Sequence, residues 1–437
     1  MGKRIAIATI GTMGDVQPFV ALALRLQERG YSVVIGTTGD FEDFVTGRGI
    51  DFYNLGSDIQ AFLRQSQFDK AMSKSMLLYA PALLRQGQRI LREAGRQVWA
   101  MSQDADAIVF HMNTTFAIDI AEALDIPAIM TAFQPLNPTG EFPYFAYDGP
   151  PLDPIFNRLS YVVQSAQQTY YDLPRDRIRS KLLGLKRRRL TGFGKDNRGK
   201  NIPTLHAYSP SISPRPRDWP PSAKITGFWR LEDDSDWSPS PEFRAFLDEG
   251  EPPVYLGFGS MPFGARRNTE IITQALNRWG GRAVIAQGWG GLSSEDLPRT
   301  IFSIAKAPHT ELFKYVKAVV HHGGAGTTYA GLYAGRPTFI VPQFFDQPYW
   351  GRRVHELGCG PAPVRLRKLT ANILANALAN LVGTPAYQRN TTQLQQKLHE
   401  EDGTARAVDM IERTIAAYPF QPDIPQTRMR EAYDRAL

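Results

Sequence analysis

Residues Val319–Trp350, VVHHGGAGTTYAGLYAGRPTFIVPQFFDQPYW, decide the fold class of this 437-residue chain. The pattern predicts an apolar strand, a glycine-rich turn, a helix, a second strand and a polar loop. Such units build doubly wound α/β domains. Gly324 and Gly326 let a ligand approach the backbone, and the helix that Thr327 and Thr328 open has free N–H groups that attract anions. The stretch therefore predicts an anion site, and a diphosphate suits it.

Two further features distinguish this turn from an ordinary strand-to-helix connection. His322 stands directly before the glycines, and Asp346 with Gln347 follows the next strand. In open α/β folds ligands bind at the carboxyl edge of the sheet, where all three side chains would lie. The carboxylate and the amide suit the vicinal hydroxyls of a sugar, whereas a turn after Pro342 is the structural alternative.

The N-terminal segment repeats the strand, glycine turn, helix and strand with a different sequence, KRIAIATIGTMGDVQPFVALALRLQERGYSVVIGTT. Its helix is predicted to begin between Val16 and Pro18. Asp15 precedes that helix and would serve as its N-cap, but at a sheet edge it could also accept a hydroxyl proton. His111 follows another strand at the same edge. It is a candidate partner of Asp15, with a satisfied polar side chain as the alternative.

The second half of the chain supplies further candidates at strand ends. Ser260 in GFGS could donate to a phosphate oxygen, and His309 in APH could contact a nucleoside. Trp289 in QGWGG could stack on a base. Packing would explain His309 and Trp289 equally well, and for Trp289 packing is slightly favoured.

The length of the chain favours two domains, because one hydrophobic core seldom supports 437 residues. The stretch Ser209–Pro241 is rich in Pro, Ser and Asp, so it predicts an interdomain linker with one short strand at Lys224–Phe228. We expect an N-terminal domain over 1–215 and a C-terminal domain over 216–415. A helical tail over 416–437 is expected to pack back on the first domain.

Composition restricts the class of protein. The hydrophobic fraction of 43% and charged fraction of 21% are typical of a globular protein, and no apolar run is long enough for a membrane span. The start MGKRIAIATIG lacks the pattern of a signal peptide, which predicts a cytoplasmic location. The single Cys359 excludes an internal disulfide and a cysteine zinc cluster. No cofactor is expected.

The excess positive charge is concentrated in one segment. Residues Lys181–Lys200 contain eight basic residues and one acidic residue, and the net charge of the whole chain is +7. A solvated loop is the first interpretation. The second is contact with anionic lipid at the inner membrane face, because Leu182, Leu183, Leu185 and Leu190 alternate with the cations. Nucleic acid is a poorer candidate, because the run has no aromatic stacking platform.

Five motifs, taken in order, carry a resemblance to a known family. They are GTMGDVQPF, SPRPRDWP with TGFW, PPVYLGFGSM, HHGGAGTTYAGLYAGRPT and PQFFDQPYWGRRVHELGCGP. The chain resembles the inverting nucleotide-sugar glycosyltransferases of the UGT class from residue 5 to about 365. It is most similar to their sterol 3-beta-glucosyltransferase branch and related bacterial enzymes.

The resemblance implies a GT-B fold of two facing Rossmann-like domains, with a UDP-sugar in the cleft and a lipophilic alcohol as acceptor. It assigns Asp15 as general base, His309 to the nucleoside, and Asp346 and Gln347 to the sugar. The positions that it assigns to donor or diphosphate contacts are Gly14, Ser260, His322, Gly324, Gly326, Thr327 and Thr328. Plant members of the class have an acidic residue at the position of Ala330, so their ribose contact is absent or supplied elsewhere.

The mechanism that the resemblance implies is a single in-line displacement without a metal. Asp15 takes the proton of the acceptor hydroxyl while the oxygen attacks the anomeric carbon. The apolar segments Ile59–Val98 and Phe133–Tyr171 could line the acceptor pocket, or pack as ordinary core. Other natural products, such as carotenoids, hopanoids and polyketides, remain alternative acceptors. A nucleotide-sugar epimerase and a non-catalytic binding protein remain alternative functions.

Overall fold

The computed structural model describes most of the chain. Side chains are described throughout these ranges except at 76–84, 265 and 266. The described residues are 2–56, 76–150, 152–164, 175–186, 194–232, 237–258, 265–286, 298–304 and 307–419.

Two parallel β-sheets form the centre of the molecule. The first has the strand order β3-β2-β1-β4-β5-β6-β7 and the second has the order β10-β9-β8-β11-β12. The order reverses beside the first strand of each sheet, as in doubly wound folds, so the predicted fold class is confirmed. The strands are β1 (Arg4–Ala8), β2 (Ser32–Thr37), β3 (Asp51–Asn54), β4 (Ala107–His111), β5 (Ala128–Ala132), β6 (Thr204–His206), β7 (Ala223–Ile225), β8 (Val254–Gly257), β9 (Ala283–Ala286), β10 (Ile301–Ile304), β11 (Ala318–His321) and β12 (Thr338–Ile340).

Helices cover both faces of each sheet. They include α1 (Met13–Glu28), α2 (Glu42–Thr46), α3 (Met76–Met101), α4 (Ala117–Leu124), α5 (Pro154–Ser160), α6 (Pro241–Asp248), α7 (Ala265–Trp279), α8 (His309–Leu312), α9 (Ala325–Tyr333), α10 (Gln347–Glu356), α11 (Ala371–Gly383), α12 (Pro385–His399) and α13 (Gly403–Ala416).

The apolar composition of the strands explains this layering. In β1, Ile5 and Ile7 lie in one buried cluster, and Ala6 and Ala8 lie in another on the opposite face. Successive side chains of a strand point to opposite faces, and a parallel sheet is covered on both, so each strand is apolar throughout. Helices α1 and α13 contribute to the first cluster, and α3 and α4 contribute to the second.

The first domain extends beyond the expected boundary at residue 215. Strand β7 pairs with β6, Thr204 facing Ala223, and is the seventh strand of the first sheet. The short strand expected in the linker therefore belongs to the N-terminal domain. Its three residues give too weak a local pattern to reveal the sheet that they join.

The chain returns to the N-terminal domain earlier than expected. Helix α13 buries Val408 and Ile411 in the cluster that contains α1. The guanidinium of Arg25 lies 2.7 Å from the Asp402 carboxylate, and that of Arg29 lies 2.9 Å from Asp409. The return is therefore made by α13, and residues 420–437 of the expected tail lie outside the described residues.

Contacts between the domains place the carboxyl edges of the two sheets close together. The Ser209 amide donates to the Tyr329 hydroxyl at 2.7 Å, and the hydroxyls of Ser213 and Tyr349 are 2.5 Å apart. Phe228 stacks on Tyr329 with 4.0 Å between ring centroids. Because Tyr329 lies on α9 and Tyr349 on α10, these contacts hold the helices that follow β11 and β12 against the first domain.

Candidate active site

Asp15 lies in the first turn of α1, at the carboxyl edge of the first sheet. Its Oδ2 accepts hydrogen bonds from the Thr12 amide at 2.7 Å and the Thr12 hydroxyl at 3.0 Å. This is a capping box, in which Thr12 is the N-cap and Asp15 is the third helical residue. The helix thus begins at Met13, before the predicted start, and Asp15 is not the N-cap. The hydrogen bonds fix Oδ2 and leave Oδ1 available.

His111 ends β4 and faces Asp15. Its Nε2 lies 4.0 Å from Oδ1 of Asp15, and the buried ring stacks on Phe133 at 5.1 Å. Neither ring nitrogen has a hydrogen-bond partner among the described residues. Burial lowers the pKa of His111, and the negative charge of Asp15 opposes that effect only in part. The imidazole is therefore neutral at pH 7, with two unused polar atoms beside the carboxylate.

Glycines make room around Asp15. A Cβ atom on Gly11 would collide with the Asp15 carboxylate, so only glycine lets the loop pass so close to it. Gly14, assigned to donor binding, is exposed in the first turn of α1. The contact of Gly14 with a donor stays a prediction.

The N-terminus of α9 lies at the carboxyl edge of the second sheet and is not capped by a side chain. Gly324 is its N-cap, and the first turn contains no acidic residue. Gly326 is exposed, and a Cβ atom there would have nothing within 4 Å. A Cβ atom on Gly324 would lie 2.7 Å from Nε2 of His322. The glycines therefore bring His322 against the turn and leave the helix N–H groups accessible.

Two of the predicted histidines meet the first turn of α9. Nδ1 of His309 is 3.5 Å from the Thr327 hydroxyl, and its Nε2 is 3.2 Å from the Tyr255 hydroxyl. Burial lowers the pKa of His309 to about 4, with a further contribution from His322. Burial also lowers the pKa of His322 to about 4. Both rings are therefore neutral hydrogen-bonding groups at pH 7.

Thr328 differs from Thr327. Its buried hydroxyl donates to the Gly324 carbonyl at 2.9 Å, so its proton is used within the turn. Thr327 keeps a partly exposed hydroxyl beside His309. The sequence did not distinguish these adjacent threonines, because the exact start of α9 decides which of the two side chains is buried.

Asp346 and Gln347 begin α10 after β12. Oδ2 of Asp346 accepts a hydrogen bond from the Trp350 indole at 2.7 Å. Oε1 of Gln347 accepts from the Gln343 amide at 2.8 Å and the Phe344 amide at 3.2 Å. The side-chain oxygen of Gln347 therefore holds its own loop. One oxygen of Asp346 and the Gln347 amide nitrogen are the groups left for a ligand.

The two sheet edges interact electrostatically across the cleft. The pKa of Asp346 is raised to about 6, chiefly by burial and in smaller part by the negative charge of Asp15. The hydrogen bond from Trp350 acts in the opposite direction. A carboxylate of the first domain is thus close enough to influence a carboxylate of the second, as expected for residues that share one site.

Two residues that build this edge were not predicted from the sequence. Nδ1 of His321 accepts a hydrogen bond from the Gly323 amide at 2.9 Å and so holds the glycine turn. Tyr255 positions His309 through the contact described above. The signal for both was present, because each is a polar residue within a buried apolar strand, where a polar atom needs a partner.

The segment 213–220, SPRPRDWP, is held by hydrogen bonds to the loop after β5 and is not a simple linker. We call this segment the clasp. Asp218 accepts hydrogen bonds from the Thr139 hydroxyl at 2.6 Å and the Gly140 amide at 2.9 Å. The Trp219 indole donates to the Asn137 carbonyl at 2.9 Å. Burial raises the pKa of Asp218, but the hydrogen bonds from Thr139, Arg158 and Gly140 together outweigh burial and lower the pKa to about 2. The clasp holds the loop after β5 beside the cleft.

Several predicted features lie wholly or partly outside the described residues. Ser260 and Trp289 are outside them, and so are parts of both apolar segments expected to line the acceptor pocket. In the described part of the first segment, Leu91, Ala94 and Val98 pack in the core. That part is therefore ordinary packing, and the pocket stays a prediction.

The described parts of the basic segment 181–200 pack against the first domain. Leu183 is buried in the cluster that contains α3 and α4, and Leu182 and Leu185 pack on it. The side chain of Asn197 donates to the Asp119 carboxylate at 2.9 Å. These three leucines face the protein, so they are not the lipid-facing side chains that the membrane interpretation required.

The structure describes no helix with the length and apolarity needed to cross a bilayer. Within the same ranges, no group of three His, Cys, Asp or Glu side chains could hold a metal ion.

Comparison with known proteins agrees with this architecture. Residues 5–143 match the glycosyltransferase family 28 N-terminal domain, and residues 283–412 match the erythromycin biosynthesis protein CIII-like C-terminal domain. The glycosyltransferase of kitacinnamycin has a TM-score of 0.68 at 19% identity, covering 95% of this chain and 100% of that one. The calicheamicin glycosyltransferase CalG4 has a TM-score of 0.63 at 20% identity, covering 95% and 99%. The fold is that of a GT-B glycosyltransferase.

Two sterol 3-beta-glucosyltransferases of Arabidopsis thaliana are 34% and 37% identical to the chain over 97% and 93% of its length. The chain belongs to the sterol 3-beta-glucosyltransferase family, which confirms the resemblance found in the sequence. It covers 69% and 64% of those two relatives. A relative from Emericella nidulans is 32% identical over 97% of this chain, which covers 32% of that protein.

Proposed function

We propose that the chain is an inverting glycosyltransferase that moves glucose from UDP-glucose to the hydroxyl of a sterol or sterol-like alcohol. The names of its relatives support the sugar and the acceptor class. The observation that carries the proposal is the arrangement at the cleft. A carboxylate beside a neutral histidine lies on one sheet edge, and an uncapped helix N-terminus with two neutral histidines lies on the other.

In this mechanism Asp15 accepts the proton of the acceptor hydroxyl. The acceptor oxygen forms the new bond to the anomeric carbon as the bond to UDP breaks on the opposite side, so the configuration inverts. His111 acts as a positioning residue for Asp15. A movement of about 1 Å would bring its Nε2 within hydrogen-bonding distance of Oδ1.

The leaving diphosphate is assigned to the N-terminus of α9. Its free N–H groups and the Thr327 hydroxyl can donate hydrogen bonds to the phosphate oxygens as negative charge develops there. His322, whose ring is held by a hydrogen bond to the Gly257 backbone, keeps its predicted place beside the diphosphate. We assign no metal to this step. Ser260, Gly14 and Trp289 keep their predicted donor roles, and the free oxygen of Asp346 with the Gln347 amide is assigned to the sugar hydroxyls.

We further propose a cytoplasmic enzyme that contacts the membrane only peripherally. The cations of the segment 181–200 would contribute attraction to anionic lipid, although its described leucines pack inward.

The test is acceptor-dependent release of UDP. The purified chain is incubated with UDP-glucose, with and without a sterol, and UDP and glycosylated product are measured by mass spectrometry. UDP release that requires the sterol, with a β-linked product, is expected. Conversion of the nucleotide sugar to an epimer without an acceptor would show that the reaction is epimerisation and not transfer. Turnover only with carotenoids, hopanoids or polyketides would reassign the acceptor while the reaction class stands.

A further inference from the structure

The segment Pro154–Gln164, formed by α5, the turn residue Tyr161 and the helical residues 162–164, presents large apolar side chains to solvent. Five of them are exposed within nine residues of sequence: Ile155 by 73%, Phe156 by 56%, Leu159 by 55%, Val162 by 64% and Val163 by 56%. The spacing places them along one side of a helix. We call these five residues the apolar stripe.

The opposite side of the same segment is polar and faces the protein. The buried Asn157 side chain donates to the Gly140 carbonyl at 2.9 Å. The Ser160 hydroxyl accepts a hydrogen bond from the Tyr144 amide at 2.7 Å, and Tyr161 packs edge-on against Tyr144. Gln164 is also buried. The usual amphipathic arrangement is thus reversed, because the polar residues hold the segment in place and the apolar residues face outward.

This orientation is fixed by the surrounding structure. The clasp described above holds the loop that carries α5, and Arg158 donates to the Asp218 carboxylate at 2.7 Å. Rotating the helix to bury the stripe would break these bonds and expose Asn157. A contiguous exposed apolar surface on a rigid support usually marks a contact with another apolar surface.

The position and charge of the stripe favour a lipid bilayer as that surface. Tyr144 and Tyr161 belong to the buried cluster that includes Tyr349 of α10, so the stripe adjoins the cleft. Arg158 flanks the stripe, and although one of its nitrogens pairs with Asp218, its side chain is 61% exposed, which leaves the rest of the guanidinium able to reach a lipid phosphate. The excess positive charge of the whole chain lies in residues 181–200, shortly after the stripe in sequence.

We propose that the segment Pro154–Gln164 docks on an anionic lipid bilayer, with the apolar stripe among the acyl chains just below the headgroups. The inward packing of Leu182, Leu183 and Leu185 means that the stripe supplies the apolar contact and the basic segment supplies electrostatic attraction. The inference rests on the proposed function only in that a bilayer is where a lipophilic acceptor would be found.

The test uses the full chain and vesicles of phosphatidylcholine with and without phosphatidylglycerol. The double variant Phe156→Ser, Leu159→Ser is compared with the wild type by co-sedimentation. The matched control is Ile373→Ser, Val382→Ser, which removes exposed apolar side chains from α11 of the other domain. We expect the stripe variant to bind anionic vesicles about tenfold more weakly or worse, and the control to bind like the wild type. Circular dichroism checks that all three are folded.

Equal vesicle binding by the wild type and the stripe variant would overturn the proposal, as would a wild type that binds no vesicle. If the wild type instead forms a dimer that the stripe variant abolishes, the stripe is a contact between two copies and the proposal also fails.

Transfer assays separate this proposal from the proposed function. With docking correct, the stripe variant should lose transfer to a sterol embedded in vesicles but keep transfer to the same sterol in detergent. Stripe-dependent vesicle binding without transfer to any sterol would leave docking intact and remove the acceptor assignment.

Discussion

The helices α1 and α9 each follow a strand at which the strand order of its sheet reverses, β1 for α1 and β11 for α9, but their N-termini are built differently. Both follow a central strand and a glycine-containing turn. The N-terminus of α1 is closed by the capping box of Thr12 and Asp15. The N-terminus of α9 has Gly324 as its N-cap, no capping side chain and no acidic residue in its first turn.

The difference shows how one local structure can serve two chemical purposes. A helix N-terminus carries a partial positive charge and N–H groups without intrahelical partners. In α1 these features fix a carboxylate of the protein itself, which we propose as the base. In α9 they remain available to an anionic ligand, which we propose is the diphosphate. We therefore propose that proton removal takes place in the first domain and diphosphate binding in the second.

The change Asp15→Asn should have the largest effect. The amide oxygen can still accept hydrogen bonds from Thr12, so α1 should remain capped, but the side chain can no longer take a proton. We expect transfer to fall by about 10²–10⁴-fold. Steady-state UDP release with a sterol measures the rate, and calorimetry should show that UDP still binds. Retained activity would remove Asp15 from the chemistry and leave it as a cap.

Adding an acidic residue to the uncapped N-terminus of α9 should have an effect of intermediate size. Gly326→Glu places a carboxylate in the first turn of α9, where the structure leaves space for a side chain. The new charge would repel the diphosphate while favouring the helix, so KM for UDP-glucose should rise roughly tenfold without loss of stability. Kinetics and thermal unfolding provide the two measurements.

Gly326→Gln is the matched control for that variant, because it adds nearly the same volume without the charge. Equal KM values for the Glu and Gln variants would mean that bulk, and not charge, matters at this position. That result would contradict the assignment of the diphosphate to the N-terminus of α9.

The smallest expected effect comes from the electrostatic coupling between Asp15 and Asp346, which lie at the carboxyl edges of the two sheets. Asp346 has its pKa raised to about 6, so its carboxylate should be lost as the pH falls through 6, and donor affinity should fall with it. Because the charge of Asp15 is the smallest of the named causes, Asp15→Asn should move the midpoint down by only a few tenths of a pH unit. UDP-glucose binding measured from pH 5 to 8 would show the shift.

The stability of the protein should follow the opposite trend for this group. The pKa of Asp346 is higher in the folded state than the ordinary value of 3.8, so folding favours its protonated form. Its contribution to stability is therefore present at low pH and is lost as the pH rises through about 6.

In the binding experiment, an unchanged midpoint in Asp15→Asn would show that the two carboxylates do not share one site.

Much of the site was predictable because its signals are local. The apolar runs of β1 and β11 and the glycines after them predicted two sheets whose carboxyl edges carry Asp15, His322 and Asp346. The spacing of Thr12 and Asp15 is also that of a capping box, but a helix predicted to begin between Val16 and Pro18 left no place for one. The features that depended on the exact start of a helix, such as the different roles of Thr327 and Thr328, were not predictable.

By itself the sequence determined the doubly wound fold and the residue types at each strand end, because periodicity and turn chemistry are encoded within short segments. Only the tertiary structure decided that β7 joins the first sheet, that α13 crosses back and that the apolar stripe of α5 faces outward. The spacing of Ile155, Phe156 and Leu159 is the same for a buried face as for an exposed one. Its direction is set by distant partners such as Gly140, Tyr144 and Asp218, whose positions no local pattern specifies.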